Sequence, residues 1–151
     1  MKFQKRIEKE FEALRGGTVP HVKLDNDTTS HAQQRIWTVT IEGAESTLYE
    51  GEVFKLRFRF PDKYPLESPE VMFVEKPPVH PHIYTNGHIC LSILYEAWSP
   101  ALTVSAVCLS ILSMLSSCTK KEHPPDNDKY VLQSSTQSPK STSWMFHDDR
   151  V

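Results

Sequence analysis

The stretch EVFKLRFRF, residues 52–60, decides the fold class. Phe54, Leu56, Phe58 and Phe60 alternate with Lys55, Arg57 and Arg59, the period of two that puts one face of a strand in a core and the other in water. Such a strand belongs to an antiparallel sheet with one wet face, because a strand buried on both sides reads as an unbroken apolar run. Working outward, RIWTVTIE at residues 35–42 is β-branched and aromatic, and a further strand at 71–74 follows Pro69. The turn-like segment 43–51 joins the first two, which makes a meander. Residues 18–34 are polar and punctuated by Pro20 and Asn26, with a single short edge strand expected near Val22.

An N-terminal helix is the expected cover for the dry face, and a second helix is buried on more than one side. Phe3, Ile7, Phe11 and Leu14 fall on one stripe of a 3.6-residue helix over residues 2–15, and Gly16-Gly17 supplies a left-handed stop. Its other faces carry Lys2, Lys5, Arg6, Lys9 and Arg15 among Glu8, Glu10 and Glu12, which read as a solvated surface laced by pairs such as Arg6 with Glu10. Over residues 102–116, Val104, Val107, Cys108, Ile111, Leu112 and Leu115 share a stripe, Thr103 is placed to cap it, and Leu109 and Met114 make a second side apolar. Past Lys120 the chain turns polar. A short helix near 126–133 is expected, then a mobile stretch, with Trp144, Met145 and Phe146 docking back. The whole reads as one α/β (α+β) domain, with a core at 1–118 and a polar, partly mobile extension of the same domain at 119–151.

Composition narrows the function. The 151 residues carry 17 Lys plus Arg against 19 Asp plus Glu, a formal charge of -2 without long runs of one sign, so nucleic acid is not the expected partner. No apolar run approaches the ~18 to 20 residues that span a bilayer, and the opening helix lacks the apolar centre of a signal peptide, so an intracellular, membrane-free protein is expected. Three cysteines, an odd count in that setting, argue for reduced thiols rather than a disulfide framework.

The long proline-rich loop KPPVHPHIYTNG, residues 76–87, is where a site is expected, since loops of that length inside a compact domain are usually functional. Just after it comes Cys90, with His80, His82 and His88 close in sequence. Cys108 lies on the apolar helix stripe and reads as a small buried hydrophobe. Cys118 follows the helix C-terminus, which disfavours a thiolate, and reads as an incidental surface thiol. The residues around Cys90 leave three readings open: a zinc site built from His80, His82, His88 and Cys90, a cysteine–histidine hydrolase dyad, or a covalent carrier holding an acyl group as a thioester.

A resemblance bears on that choice. YEGEVFKLRFRFPDKYPLESPEVMF, HPHIYTNGHICLSIL and WSPALTVSAVCLSIL, in that order over residues 49–117, with KRI at 5–7, resemble the ubiquitin-conjugating enzymes nearly position for position. A histidine at 82, the TNGHICLSIL run, the LSSC ending of the long helix and the closing WMFHDDRV resemble the type W branch. The resemblance implies the ubiquitin-conjugating fold: a four-stranded antiparallel meander, the N-terminal helix, the long central helix, and a shortened or mobile C-terminal region. It implies that Cys90 takes ubiquitin from an activating enzyme, holds it as a thioester and passes it to an amine with a RING or U-box ligase. Leu66, Ser99, Pro100 and Ala101, with Lys5 and Arg6, match the ligase-facing surface, and Lys2 and Lys9 the activating-enzyme contact. Asn86 would order the loop; no cofactor or metal is implied, and nucleus and cytoplasm are the expected locations.

Two departures from the family pattern point to a particular acceptor. The family's usual His-Pro-Asn is here His80-Pro81-His82, so the asparagine assigned to oxyanion or loop stabilisation is missing, and only Glu122 stands near the usual acidic residue after the long helix. Both roles serve lysine as the incoming nucleophile. A protein α-amine, with a pKa of about 7.7 to 8.0 against about 10.4 for lysine, is far more often neutral near physiological pH and needs less help. Transfer to flexible substrate N-termini is therefore expected, with His82 placed to donate to the oxyanion, to accept the amine proton, or to hold the loop.

Overall fold

The computed structural model describes residues 2–17, 19–25, 35–134, 136–142 and 144, the side chains of residues 2 and 3 excepted. The expectations for Phe3, for the side chain of Lys2 and for residues from Met145 onward lie outside it. Helix α1 (Lys2–Arg15) is followed by strands β1 (Val22–Leu24), β2 (Ile36–Glu42), β3 (Val53–Arg59) and β4 (Glu70–Val74), then α2 (Val104–Ser116) and α3 (Asn127–Ser134). The strands form one antiparallel sheet in the order β1-β2-β3-β4, the meander expected from the alternating pattern.

Register follows from burial. Val39 sits opposite Leu56, and Leu56 opposite Phe73, so the apolar positions of three strands align on one face. All three are essentially inaccessible to solvent, as are Trp37, Ile41 and Phe58. Slipping any strand by one residue would turn this set into water. Ile7, Phe11 and Leu14 of α1 and Val104, Val107, Cys108, Ile111 and Leu115 of α2 complete the core. Leu109, read as a second apolar side, is half exposed, whereas Met114 is buried. The stop at the end of α1 is as expected: Gly17 has φ of 72°, and the Gly16 amide donates to Glu12 at 3.0 Å.

The face of α1 read as solvated is not uniformly so. Glu10 is only 5% exposed and its carboxylate accepts from Arg6 Nε, Tyr64 hydroxyl and the Val104 amide, each at 2.6 Å. Arg6 Nη2 also donates to the Leu102 carbonyl at 2.6 Å. An i,i+4 pair that would be worth little in water becomes, once buried against the first turn of α2, a joint between two helices and the 61–68 loop. Thr103 Oγ1 accepts from the Ala106 amide at 3.0 Å, the cap that the sequence marks.

Candidate active site

Residues 82–90 form a small antiparallel hairpin. Ile83 bridges Ile89, the Cys90 amide donates to the His82 carbonyl at 2.8 Å, and the Tyr84 amide donates to the His88 carbonyl at 3.0 Å. That register places His82 directly across from Cys90, and opposed residues carry their side chains on one face with Cβ atoms about 5 Å apart. The turn closes by Gly87 N–H to the Tyr84 carbonyl at 2.9 Å, with Gly87 at φ of 91°. Asn86 Oδ1 accepts from the His88 amide at 3.2 Å and its amide nitrogen donates to Ser134 at 3.2 Å, so this residue ties the turn to α3.

His80 has both ring nitrogens occupied. Nδ1 accepts from the His82 amide at 2.9 Å and Nε2 lies 3.1 Å from the Met114 carbonyl. An acceptor at Nε2 and a donor at Nδ1 fix the neutral Nε2–H tautomer, and burial pulls the pKa down to about 4. His88 is also buried, with Nδ1 2.7 Å from the Tyr130 hydroxyl, and burial lowers its pKa against a smaller opposing effect of Glu70. These partners, rather than an ion, engage the two histidines. Among the described residues no three His, Cys, Asp or Glu side chains are grouped to hold a metal, and the zinc reading of the His-Cys spacing is set aside on that geometry.

The three cysteines are distinct in surroundings. Burial pushes Cys108 up to about 12, the inert core thiol the helix stripe predicts. Cys118 is not the surface thiol expected: it is 8% exposed, accepts from the Tyr49 hydroxyl at 3.5 Å and donates to the Lys120 carbonyl at 3.3 Å. The chain folds back after α2 and covers it, which the helix-end position alone does not reveal. Cys90 is also 8% exposed, at the end of the hairpin, where the 3₁₀ turn Ser92–Leu94 begins two residues on.

An aromatic wall flanks Cys90, and sequence reasoning missed it. Tyr84 stacks on Tyr130 at 3.9 Å and Trp144 stacks on Tyr95 at 4.8 Å, while the Tyr95 hydroxyl donates to the Ile89 carbonyl at 2.7 Å. All three phenols are raised in pKa by burial first, and the Cys90 sulfur is close enough to contribute electrostatically to each. The available signal was Tyr130, one of few large apolar residues in the polar extension, together with Trp144, whose return to the domain was expected.

The remaining expected residues separate into two groups. Trp98 Nε1 donates to the Pro65 carbonyl at 2.8 Å, joining the loop of Leu66 to the loop of Ser99, Pro100 and Ala101, and the Leu102 carbonyl carries the contact to Arg6. Leu66 is 74% exposed, and Lys5, Lys9, Ser99, Pro100 and Ala101 are exposed as well. Arg6, by contrast, is largely engaged with Glu10 and Leu102. Glu122 is exposed and pairs with Lys120 at 3.5 Å.

With a meander, a crossing helix and a hairpin-held cysteine in place, the comparisons with known proteins become specific. The chain matches the family described as ubiquitin-conjugating enzyme over residues 6–146, and it belongs to that family. It is 53% identical over 150 residues to "Probable ubiquitin-conjugating enzyme E2 W" of Dictyostelium discoideum, covering 99% of this chain and 98% of that protein. It is 52% identical over 148 residues to "Ubiquitin-conjugating enzyme E2 W" of Caenorhabditis elegans, covering 97% of this chain and 96% of the relative. Among solved structures, the ubiquitin-conjugating enzyme UbcA1 from Agrocybe aegerita superposes with a TM-score of 0.81 at 43% identity, covering 91% of this chain and 97% of that one. The fold is thus the ubiquitin-conjugating fold, and the chain is a transferase of protein ubiquitination. Such enzymes work with ubiquitin, an activating enzyme and a ligase.

Proposed function

We propose that Cys90 carries ubiquitin as a thioester and delivers it preferentially to the α-amino group of flexible protein N-termini, with a RING or U-box ligase docked on Leu66, Ser99, Pro100, Ala101 and Lys5. In loading, the Cys90 sulfur attacks the thioester carbonyl joining ubiquitin to the activating enzyme, whose cysteine leaves as thiolate. In discharge, a neutral amine attacks the Cys90 thioester, the amine loses a proton, and the Cys90 thiolate leaves.

The observation that carries the acceptor preference is the opposition of His82 and Cys90 across the hairpin, at the place where the family pattern has asparagine. An imidazole there has a ring nitrogen that can take up or give up a proton, which an amide does not. A weak helper suffices for an α-amine and not for a lysine. Lys9, exposed on α1, is assigned to the activating-enzyme contact, and Glu122 to a minor electrostatic role toward the incoming amine. The reading places the enzyme in the nucleus and cytoplasm, with its partners.

The test is a charging assay with activating enzyme, ATP and ubiquitin, resolved with and without reducing agent, then chased with a lysine-free peptide bearing a free or an acetylated N-terminus. The expected outcome is a reducible adduct absent in Cys90→Ala and discharged by the free N-terminus alone. Discharge by free lysine but not by the peptide would overturn the α-amine preference and leave conjugation intact. A single-turnover pH profile identical in His82→Asn and the unsubstituted chain would remove His82 from proton transfer.

A further inference from the structure

The outer face of the sheet carries a hollow of about 360 Å³ that the transfer chemistry does not use, lined by Arg57, Arg59, Glu70, Asn86, His88 and Ser138 among others. Glu70 Oε1 lies 3.6 Å from the guanidinium of Arg57 and 3.6 Å from that of Arg59, and Glu70 Oε2 accepts the Ser138 hydroxyl at 2.7 Å. Two cations thus share one carboxylate. Arg57 Nε is buried and has no hydrogen-bond acceptor among the described residues, and its Nη2 is 3.2 Å from the weakly accepting sulfur of Met72. The hollow is short of anionic acceptors, and a buried guanidinium N–H without one is costly.

A second observation comes from the chain that closes the hollow. Ser138-Pro139-Lys140 puts a partly exposed serine directly before a proline, with extended backbone at φ of -67° and ψ of 144°. A hydroxyl on extended chain, followed by a residue that lacks an amide proton, is what kinases selecting proline after the acceptor recognise. The two observations concern the same few ångströms, since the Ser138 hydroxyl already points at the carboxylate between the arginines.

We propose that Ser138 is a phosphorylation site for a proline-directed kinase, and that the phosphate is held in this hollow by Arg57 and Arg59. In the modification, Ser138 Oγ bonds to the γ-phosphorus of ATP, the bond to the β-phosphate oxygen breaks, ADP leaves and the hydroxyl proton is lost. The bond donated to Glu70 goes with that proton. In exchange the site gains a charge of about -1.5 to -2 and three acceptor oxygens facing two forked guanidiniums, which outweighs repulsion from the single carboxylate.

The modification acts as a clamp on residues 136–142 and on Trp144. The Trp144 indole N–H donates to the Pro139 carbonyl at 2.9 Å and its ring lies on Tyr95. Fixing Ser138 to β3 and β4 therefore steadies the aromatic wall beside Cys90, two contacts away. The site is independent of the α-amine reading, and its test does not require ubiquitin.

The full chain and Ser138→Ala are incubated with a proline-directed kinase and ATP, and the modified residue is located by mass spectrometry. The phosphorylated chain, and phosphorylated Arg57→Gln/Arg59→Gln and Arg59→Gln chains, are then titrated by phosphorus NMR and compared by hydrogen exchange. Expected are incorporation at Ser138 lost in Ser138→Ala, a second phosphate ionisation below the value of about 6 for free phosphoserine that returns toward it in the arginine variants, and exchange over residues 136–142 slowed at least about tenfold. No incorporation at Ser138, a phosphate titrating as free phosphoserine in every chain, or faster exchange over 136–142 would each overturn the proposal.

Discussion

The imidazole of His80 and the carbonyl of Met114 lie 3.1 Å apart, a contact that holds the loop before Cys90 against the end of α2 with an uncharged ring. The unfolded chain takes up a proton at this ring near pH 6.5, the folded chain only near about 4. Stability contributed by the neutral ring is therefore fully present above pH 6.5 and is lost progressively as pH falls from 6.5 to about 4. By linkage the loss at about pH 4.5 is about 2–3 kcal/mol, and His88, lowered in the same direction, adds to it. Urea midpoints compared at neutral pH and at about pH 4.5 should fall less in His80→Gln than in the unsubstituted chain, and equal falls would mean that the ring titrates alike in both states.

Glu10 joins α1, the loop of Tyr64 and the first turn of α2 through three accepted hydrogen bonds. Glu10→Ala leaves Arg6 Nε, the Tyr64 hydroxyl and the Val104 amide without their acceptor and is expected to cost about 3–5 kcal/mol, with Glu10→Gln losing less because its amide oxygen still accepts. Equilibrium urea unfolding measures both, and a loss below about 1 kcal/mol for Glu10→Ala would show that water replaces the carboxylate.

Gly87 and Gly51 both have positive φ, 91° and 77°, but their surroundings differ. A Cβ on Gly87 would stand 2.0 Å from the Phe73 carbonyl oxygen, whereas one on Gly51 meets nothing within 4 Å. Gly51→Ala should cost about 1–2 kcal/mol from backbone strain alone. Gly87→Ala adds a clash with β4 and is expected to cost more and to slow thioester formation by displacing the Cys90 hairpin. Similar costs at the two sites would refute the clash.

Leu66 is the most exposed large apolar side chain near the loops joined by Trp98 and Pro65, at 74%. Leu66→Asp should leave stability within about 0.5 kcal/mol and leave charging by the activating enzyme unchanged, while ligase-stimulated discharge falls about thirtyfold, the ~2 kcal/mol of an interface hot spot. Undiminished ligase stimulation would place the ligase elsewhere.

The strands, both long helices and the capping threonine were legible because each rests on a local pattern: the 53–59 alternation, the Phe11 and Leu14 spacing, Thr103 ahead of an apolar run. Cys90 was singled out by its neighbours and by the resemblance, and the hairpin that sets it across from His82 follows from the Asn86-Gly87 turn between them. The burial of Glu10 and of Cys118 was not, since both depend on chain remote in sequence: α2 and the 61–68 loop for Glu10, Tyr49 and the segment after α2 for Cys118. The aromatic wall escaped for the same reason. Tyr84, Tyr95, Tyr130 and Trp144 are spread over sixty residues and share no period.

The hairpin of Cys90 is fastened in three directions: the Phe73 amide to the Gly87 carbonyl at 2.9 Å, His80 to α2, and the Thr85 amide to Asn127 Oδ1 at 3.0 Å. A segment pinned to three separate elements has no hinge about which to swing, so its only route to opening is to release all three together. Amide protons of Phe73 and Cys90 should then exchange with solvent only as rarely as the whole domain unfolds, although one of them belongs to a loop. Cys90 rides on irregular backbone with the persistence of a core strand, and under the proposed function whatever adaptability the acceptor requires must be supplied by what approaches it.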